Sequence, residues 1–335
     1  MELFLVSISI VIILFFAQFL IFRVQKIYSV CLRTQLYDYA KWVKEKPKVL
    51  IMGSSHARSQ ISPQEIAEHS QKYKYEEIYN IGADAACPFA MYTTYKKNEE
   101  KFDNLELVYY TLDPHLLGEK YYLYTKYEKI FLSLKQWKYF TKHHKSYLKL
   151  HHQESNKYFF PGIIFFHALE FRRSIFSGRN NGFNPLKHKE FKPFSENKVA
   201  KYIYEPLDVF PVSEFSLYYL CQLKQEIERR GAKFIFLLTP TYSWANFYKQ
   251  EAYIYDQKLV EQLEQKCSSG VVLGSLFGED FGLLFEDYQD DTHLAQSGAL
   301  LYTKSVFKDI DQHHRIEEKN FQATYQYRLK NLQKI

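Results

Sequence analysis

Five short apolar runs constrain this chain more than any other feature: Val49–Met52, Glu77–Ile81, Leu105–Leu112, Lys233–Thr239 and Val271–Leu273. Each meets a Gly or Pro within two residues of its end, and each reads as a strand. Helical signals lie between them. Ser62 is placed to cap a helix, with Pro63 in its first position and Glu65 completing a capping box. Ser213 caps a second helix, which carries Leu220, Leu223 and Ile227 and is stopped at Gly231. Further helices are expected over Ala252–Lys266 and Ser297–Ile310. Strands alternating with helices predict an α/β fold, a parallel sheet flanked by helices.

Two regions stand apart from this pattern. Leu3–Phe22 is an uncharged apolar run of 20 residues. At ~1.5 Å per residue it matches the ~30 Å hydrocarbon core of a bilayer. No small-residue cleavage site follows, so residues 1–23 are expected to be a retained single-pass anchor, joined by a linker over 24–48. The lysines and arginines after the run would, by the positive-inside rule, leave the body in the cytoplasm. The second region, 115–210, is dense in Tyr, Phe, Lys and His and reads as an insertion or lid beside the sheet. Its paired histidines, His143–His144 and His151–His152, lack a completing carboxylate or cysteine and read as a solvated face, so no metal is expected. Residues 311–335 read as a polar tail.

The net charge of +6 is spread over 335 residues, with no basic stripe and no zinc-finger spacing, which argues against nucleic acid. No GxGxxG follows a strand, which argues against a dinucleotide fold. Cys31, Cys87, Cys221 and Cys267 form no CxxC pair. One bridge such as Cys221–Cys267 is open to an oxidising compartment, but the sparse spacing favours free buried thiols.

The chemistry-bearing residues lie at the two ends of the α/β pattern. Gly53-Ser54-Ser55-His56 follows the first strand, and Asp290-Asp291-Thr292-His293-Leu294 precedes the last helix. A serine just past a strand end is exposed near helical N–H groups, and an Asp three residues before a His can orient it as a base. Ser55, His293 and Asp290 therefore form a candidate relay, with Asp291 as the alternative acid. The competing readings are local: Ser54 and Ser55 as helix caps, Asp290 as the cap of the last helix, His293 as a surface histidine. His56 and Arg58 either bind an anionic group or face solvent and pair locally.

Gly53-Ser54-Ser55 and Asp290-x-x-His293-Leu294, followed by Gly298-Ala299, resemble the first and last blocks of the SGNH/GDSL hydrolase superfamily. The Gly-Ser-Ser-His form behind an apolar N-terminus is similar to its membrane-bound branch, which includes D-alanyl transfer and alginate acetylation proteins. The resemblance spans 49–310 without the insertion. It implies a three-layer flavodoxin-like fold, with Ser55 as nucleophile, His293 as base, Asp290 as orienting acid and Gly82 as an oxyanion donor. It also implies esterase or O-acyltransferase activity on an envelope glycan, teichoic acid or lipid, no cofactor, and an extracytoplasmic body with a polytopic acyltransferase as partner. That location conflicts with the charges after the anchor.

One block departs from the family. Where an Asn would donate to the oxyanion, this chain has Asp113-Pro114, and an ionised carboxylate only accepts. Asn184, in the insertion, is a candidate replacement donor. The departure leaves a second expectation: a degenerate fold of this type that binds envelope polymer or a partner without turnover.

Overall fold

Strands buried on both faces must be apolar throughout, because parallel sheets are covered by helices on each side. The runs meet it almost throughout, with Asn80, Thr111 and Lys233 as the polar positions within the strands. A computed structural model of the chain describes residues 47–83, 86–118, 179–186, 212–242 and 248–317, together with Val43 and Asn246. It contains strands β1 (Val49–Met52), β2 (Ile78–Asn80), β3 (Leu107–Leu112), β4 (Lys233–Leu238) and β5 (Val271–Gly274). All pair in parallel, in the order β2-β1-β3-β4-β5. This is one of the two common doubly wound arrangements, in which ligands bind outside the carboxyl ends of the strands where the order reverses.

Alternation within each strand divides the core. Leu50, Met52, Val108, Tyr110, Phe234 and Phe236 face one side. They pack under helices α3 (Pro88–Lys97), α4 (Glu214–Glu228) and α5 (Lys249–Cys267). Val49, Ile51, Leu107, Tyr109, Ile235 and Leu237 face the other, under α1 (Ser55–Gln60), α2 (Pro63–Glu68) and α6 (Gln296–Phe307). At ~1.5–3 kcal/mol per buried large side chain, these two layers supply most of what holds the sheet.

Several details differ from the sequence expectations. Cys221 on α4 and Cys267 at the end of α5 form a disulfide, with Cα atoms 5.0 Å apart, rather than remaining thiols. The packing of α4 on α5 brings together two cysteines 46 residues apart, a proximity their spacing does not reveal. The capping box at Ser62 is half formed. Ser62 Oγ accepts from the Glu65 N–H, but the Glu65 carboxylate turns to His69, and the Ser62 N–H donates to Thr303 on α6. The last helix breaks after Phe307 and resumes as a short turn, Ile310–His313. That turn belongs to the body: Asp311 accepts from the N–H groups of Gln71 and Lys72, and buried His313 meets the Tyr109 hydroxyl at 2.7 Å. Burial pushes the His313 imidazole down to about 4.

Of the 115–210 insertion, the described pieces are its first residues and 179–186. Asn181 donates to the carbonyls of Tyr75 and Ile78, covering the edge strand β2, where an open row of backbone groups would otherwise invite pairing. His143, His144, His151, His152 and the apolar run Leu3–Phe22 lie outside the described residues. Among the described residues no helix is long and apolar enough to cross a membrane, and no His/Cys/Asp/Glu group could hold a metal.

Candidate active site

The order reversal falls between β1 and β3, and β1 leads straight into Gly53 and α1. Gly53 adopts φ +134°, where L side chains are strained, and a Cβ there would stand 2.0 Å from Thr111 Oγ1 on β3. Only glycine lets the chain leave β1 this sharply. Ser54 then caps α1, its hydroxyl accepting from the His56 N–H at 3.2 Å, so the capping role read for this pair belongs to Ser54. Ser55, the first residue of α1, is left free of that duty.

Ser55 Oγ lies 2.8 Å from His293 Nε2, bridging 238 positions of sequence. His293 Nδ1 lies 3.0 Å from both carboxylate oxygens of Asp290. With Nδ1–H donating to Asp290, Nε2 is the lone-pair nitrogen facing the serine hydroxyl, as a base must be. The loop is preorganised by Asp290 itself: Oδ1 accepts from the N–H groups of Thr292 and His293, each at 2.8 Å, and from the Thr292 hydroxyl. Gln60 Nε2 donates to the Thr292 carbonyl and ties this loop to α1. Ala295, not Asp290, is the N-cap of α6.

The electrostatics separate the two adjacent acids. Partial burial opposes ionisation of Asp290. The hydrogen bond and charge of His293, with the two backbone donors, overcome it and hold the carboxyl well below the usual range. Asp291 is buried and outside the relay; its burial, then the Asp290 charge, push it up to about 6. Asp290 is thus the charged partner of the His293 ring.

The other side of Ser55 differs from expectation. Gly82 packs against α1 so closely that a Cβ would stand 2.6 Å from Arg58 N. Its N–H, read from sequence as an oxyanion donor, donates instead to Asn80 Oδ1 at 2.9 Å. Asn80 presents that oxygen because its amide nitrogen is fixed on the carbonyls of Ala57 and Ile61. Asp113, at the end of β3, accepts from Ser54 Oγ at 2.9 Å. Asn184 is positioned by its backbone at the later turn of α1, where its N–H donates to the Arg58 carbonyl. His56 and Arg58 are buried rather than solvent-facing. His56 Nδ1 lies 2.8 Å from Thr239 Oγ1, Nε2 lies 3.9 Å from Asp113 Oδ2, and its ring meets that of His293 edge to face.

Thr239, Asn80, Thr292 and Gln60 escape the sequence reading. Thr239 ends the β4 run at the same sheet edge as Ser55, which is the one local signal that could have found it. No protein-family model matches the chain, and no curated protein matches its sequence.

Proposed function

We propose that this protein is a serine esterase or O-acyltransferase with an SGNH-like α/β body, acting on an envelope glycan, teichoic acid or lipid from a single-pass membrane anchor. One observation carries the reading: the continuous line from Ser55 Oγ through the His293 ring to the Asp290 carboxylate. Ser55 attacks an acyl carbonyl while its proton passes to His293 Nε2, and Asp290 stabilises the imidazolium that forms. The leaving alcohol takes that proton. An acceptor hydroxyl or water then gives a proton to His293 and attacks the acyl-serine, and His293 returns that proton to Ser55 Oγ as the serine–acyl bond breaks. These steps ask nothing of a metal or cofactor. The Ser55 N–H at the start of α1 is the oxyanion donor this reading retains.

The Cys221–Cys267 disulfide supports a body outside the cytoplasmic membrane, since such bonds persist in oxidising compartments. It weighs against the charges that follow the anchor. Trapping free thiols in intact cells tests the placement: protection of Cys221 and Cys267 is expected, and alkylation of both would return the body to the cytoplasm. A polytopic acyltransferase as acyl donor rests on the family resemblance alone.

A binding protein without turnover is the second reading, favoured by the engagement of Gly82 N–H with Asn80 and by a carboxylate at 113. A fluorophosphonate probe separates the two, because labelling needs an activated serine. The enzyme reading expects labelling of wild type and none of Ser55→Ala. An unlabelled, folded wild type would leave the binding reading.

A further inference from the structure

We propose that His56 is a positioning residue for the base His293, held in that role from beneath by Thr239 and Asp113. The inference rests on the serine-relay reading above and goes beyond it.

His56 follows the nucleophile in sequence, yet it is 1% exposed and turned into the protein. A buried imidazole is costly unless its nitrogens are satisfied. Here Nδ1 meets Thr239 Oγ1 at 2.8 Å, and Nε2 faces Asp113 Oδ2 at 3.9 Å. Asp113 also takes the Ser54 hydroxyl, and Ser54 in turn takes the His56 N–H. The result is a buried polar cluster that joins the ends of β1, β3 and β4. It is hydrogen-bonded from Thr239 to His56 and from His56 through Ser54 to Asp113, with the His56 Nε2–Asp113 approach a longer electrostatic one. Its contact with the relay is a ring. The His56 and His293 centroids are 5.0 Å apart at 80°, the edge-to-face arrangement in which the positive rim of one ring meets the negative face of the other. His293 is a fifth exposed, so its own loop covers only part of it, and His56 supplies a wall against which the imidazole stops rotating. A base displaced by about 1 Å loses on the order of 100-fold in rate.

Among the described residues, the titratable groups set against His293 include Asp290 on its own loop, His56 on α1 and, behind His56, Asp113 at the end of β3. Because Asp113 faces His56 and His56 faces His293, removal of the Asp113 charge is expected to move the acid limb of the rate profile to lower pH.

The test is the fluorophosphonate labelling rate of the full chain in detergent, measured against pH. Ser55→Ala is expected to abolish labelling, and His56→Phe, which keeps a ring but loses both polar contacts, to slow it about 10–100-fold. Thr239→Val, which keeps the shape, is expected to slow it similarly. Thr239→Ser, which keeps the hydroxyl, restores most of the rate that Thr239→Val loses, and Asp113→Asn shifts the acid limb downward. Should His56→Phe not fold, the Val/Ser pair at 239 decides. Wild-type rates in Thr239→Val with an unmoved limb in Asp113→Asn would overturn the inference while leaving Ser55 as nucleophile. An unlabelled wild type, or labelling that survives Ser55→Ala, would remove the relay reading and this inference with it.

Discussion

The two sides of Ser55 are built to different standards. On one side, His293, Asp290, Thr292 and Gln60 form one hydrogen-bonded unit, with His293 Nε2 facing the serine hydroxyl. On the other side, the Gly82 N–H expected to receive an oxyanion is taken by Asn80, and Asp113, an acceptor where the family has a donor, takes the Ser54 hydroxyl. A site can thus be fully equipped to deprotonate its nucleophile and sparingly equipped to stabilise what that nucleophile makes. Removing one oxyanion donor costs about 2.7–4 kcal/mol in well-studied hydrolases. On the esterase or acyltransferase reading proposed above, this asymmetry predicts an activated acyl donor or slow turnover.

The largest expected effect is at the residue both sides share. Ser55→Ala is expected to lower acyl turnover by roughly a million-fold, and ester hydrolysis kinetics would measure it. Retention of a tenth of the activity would remove Ser55 as nucleophile and the relay with it. Next, Asp290→Asn preserves shape but removes the charge that holds the imidazole tautomer, so a loss on the order of 10⁴-fold is expected in the same kinetics. An equal loss from Asp291→Asn instead would transfer the acid's role to its neighbour.

On the other side, Gly82→Ala drives a Cβ to 2.6 Å from Arg58 N and 2.7 Å from Ala57 Cβ. Thermal or urea unfolding is expected to show about 1–3 kcal/mol of destabilisation. An unchanged midpoint would mean that α1 is not pinned there, and that the Gly82 N–H is available to a ligand.

The smallest effect concerns Asp291. Its pKa is raised to about 6, above the ordinary 3.8, so the native state holds an extra proton between about pH 4 and 6. Its contribution to stability therefore declines as pH rises through that window. His313, lowered to about 4 from 6.5, has the opposite slope, losing stability as pH falls from 6.5 toward 4. Comparing Asp291→Asn with wild type isolates one slope from the other. The variant is expected to gain about 1–2 kcal/mol at pH 7 and nothing near pH 4. A gain that is the same at both values would assign it to something other than ionisation.

Much of the architecture was legible because it is local. Strands β1, β3, β4 and β5 coincide to within two residues with apolar runs, since a doubly covered parallel strand needs no polar positions. Ser62 and Ser213 do cap helices, since a cap is satisfied by neighbours three residues away. The meeting of Ser55 with His293 and Asp290 was legible for a different reason: Ser55 and the Asp290–His293 pair are each short motifs at strand and helix boundaries.

What the sequence by itself determined is the alternation of strand and helix and the short motifs whose serine, histidine and carboxylate the fold brings together. Tertiary structure alone decided how those groups are spent. Whether Glu65 closes a capping box, whether Cys221 meets Cys267, and whether Gly82 offers its N–H to a ligand or to Asn80 all turn on distances between residues remote in sequence or on a choice among competing partners. Hydrogen bonds and bridges are short-range, so one change of partner alters a group's role without altering the pattern that placed it there.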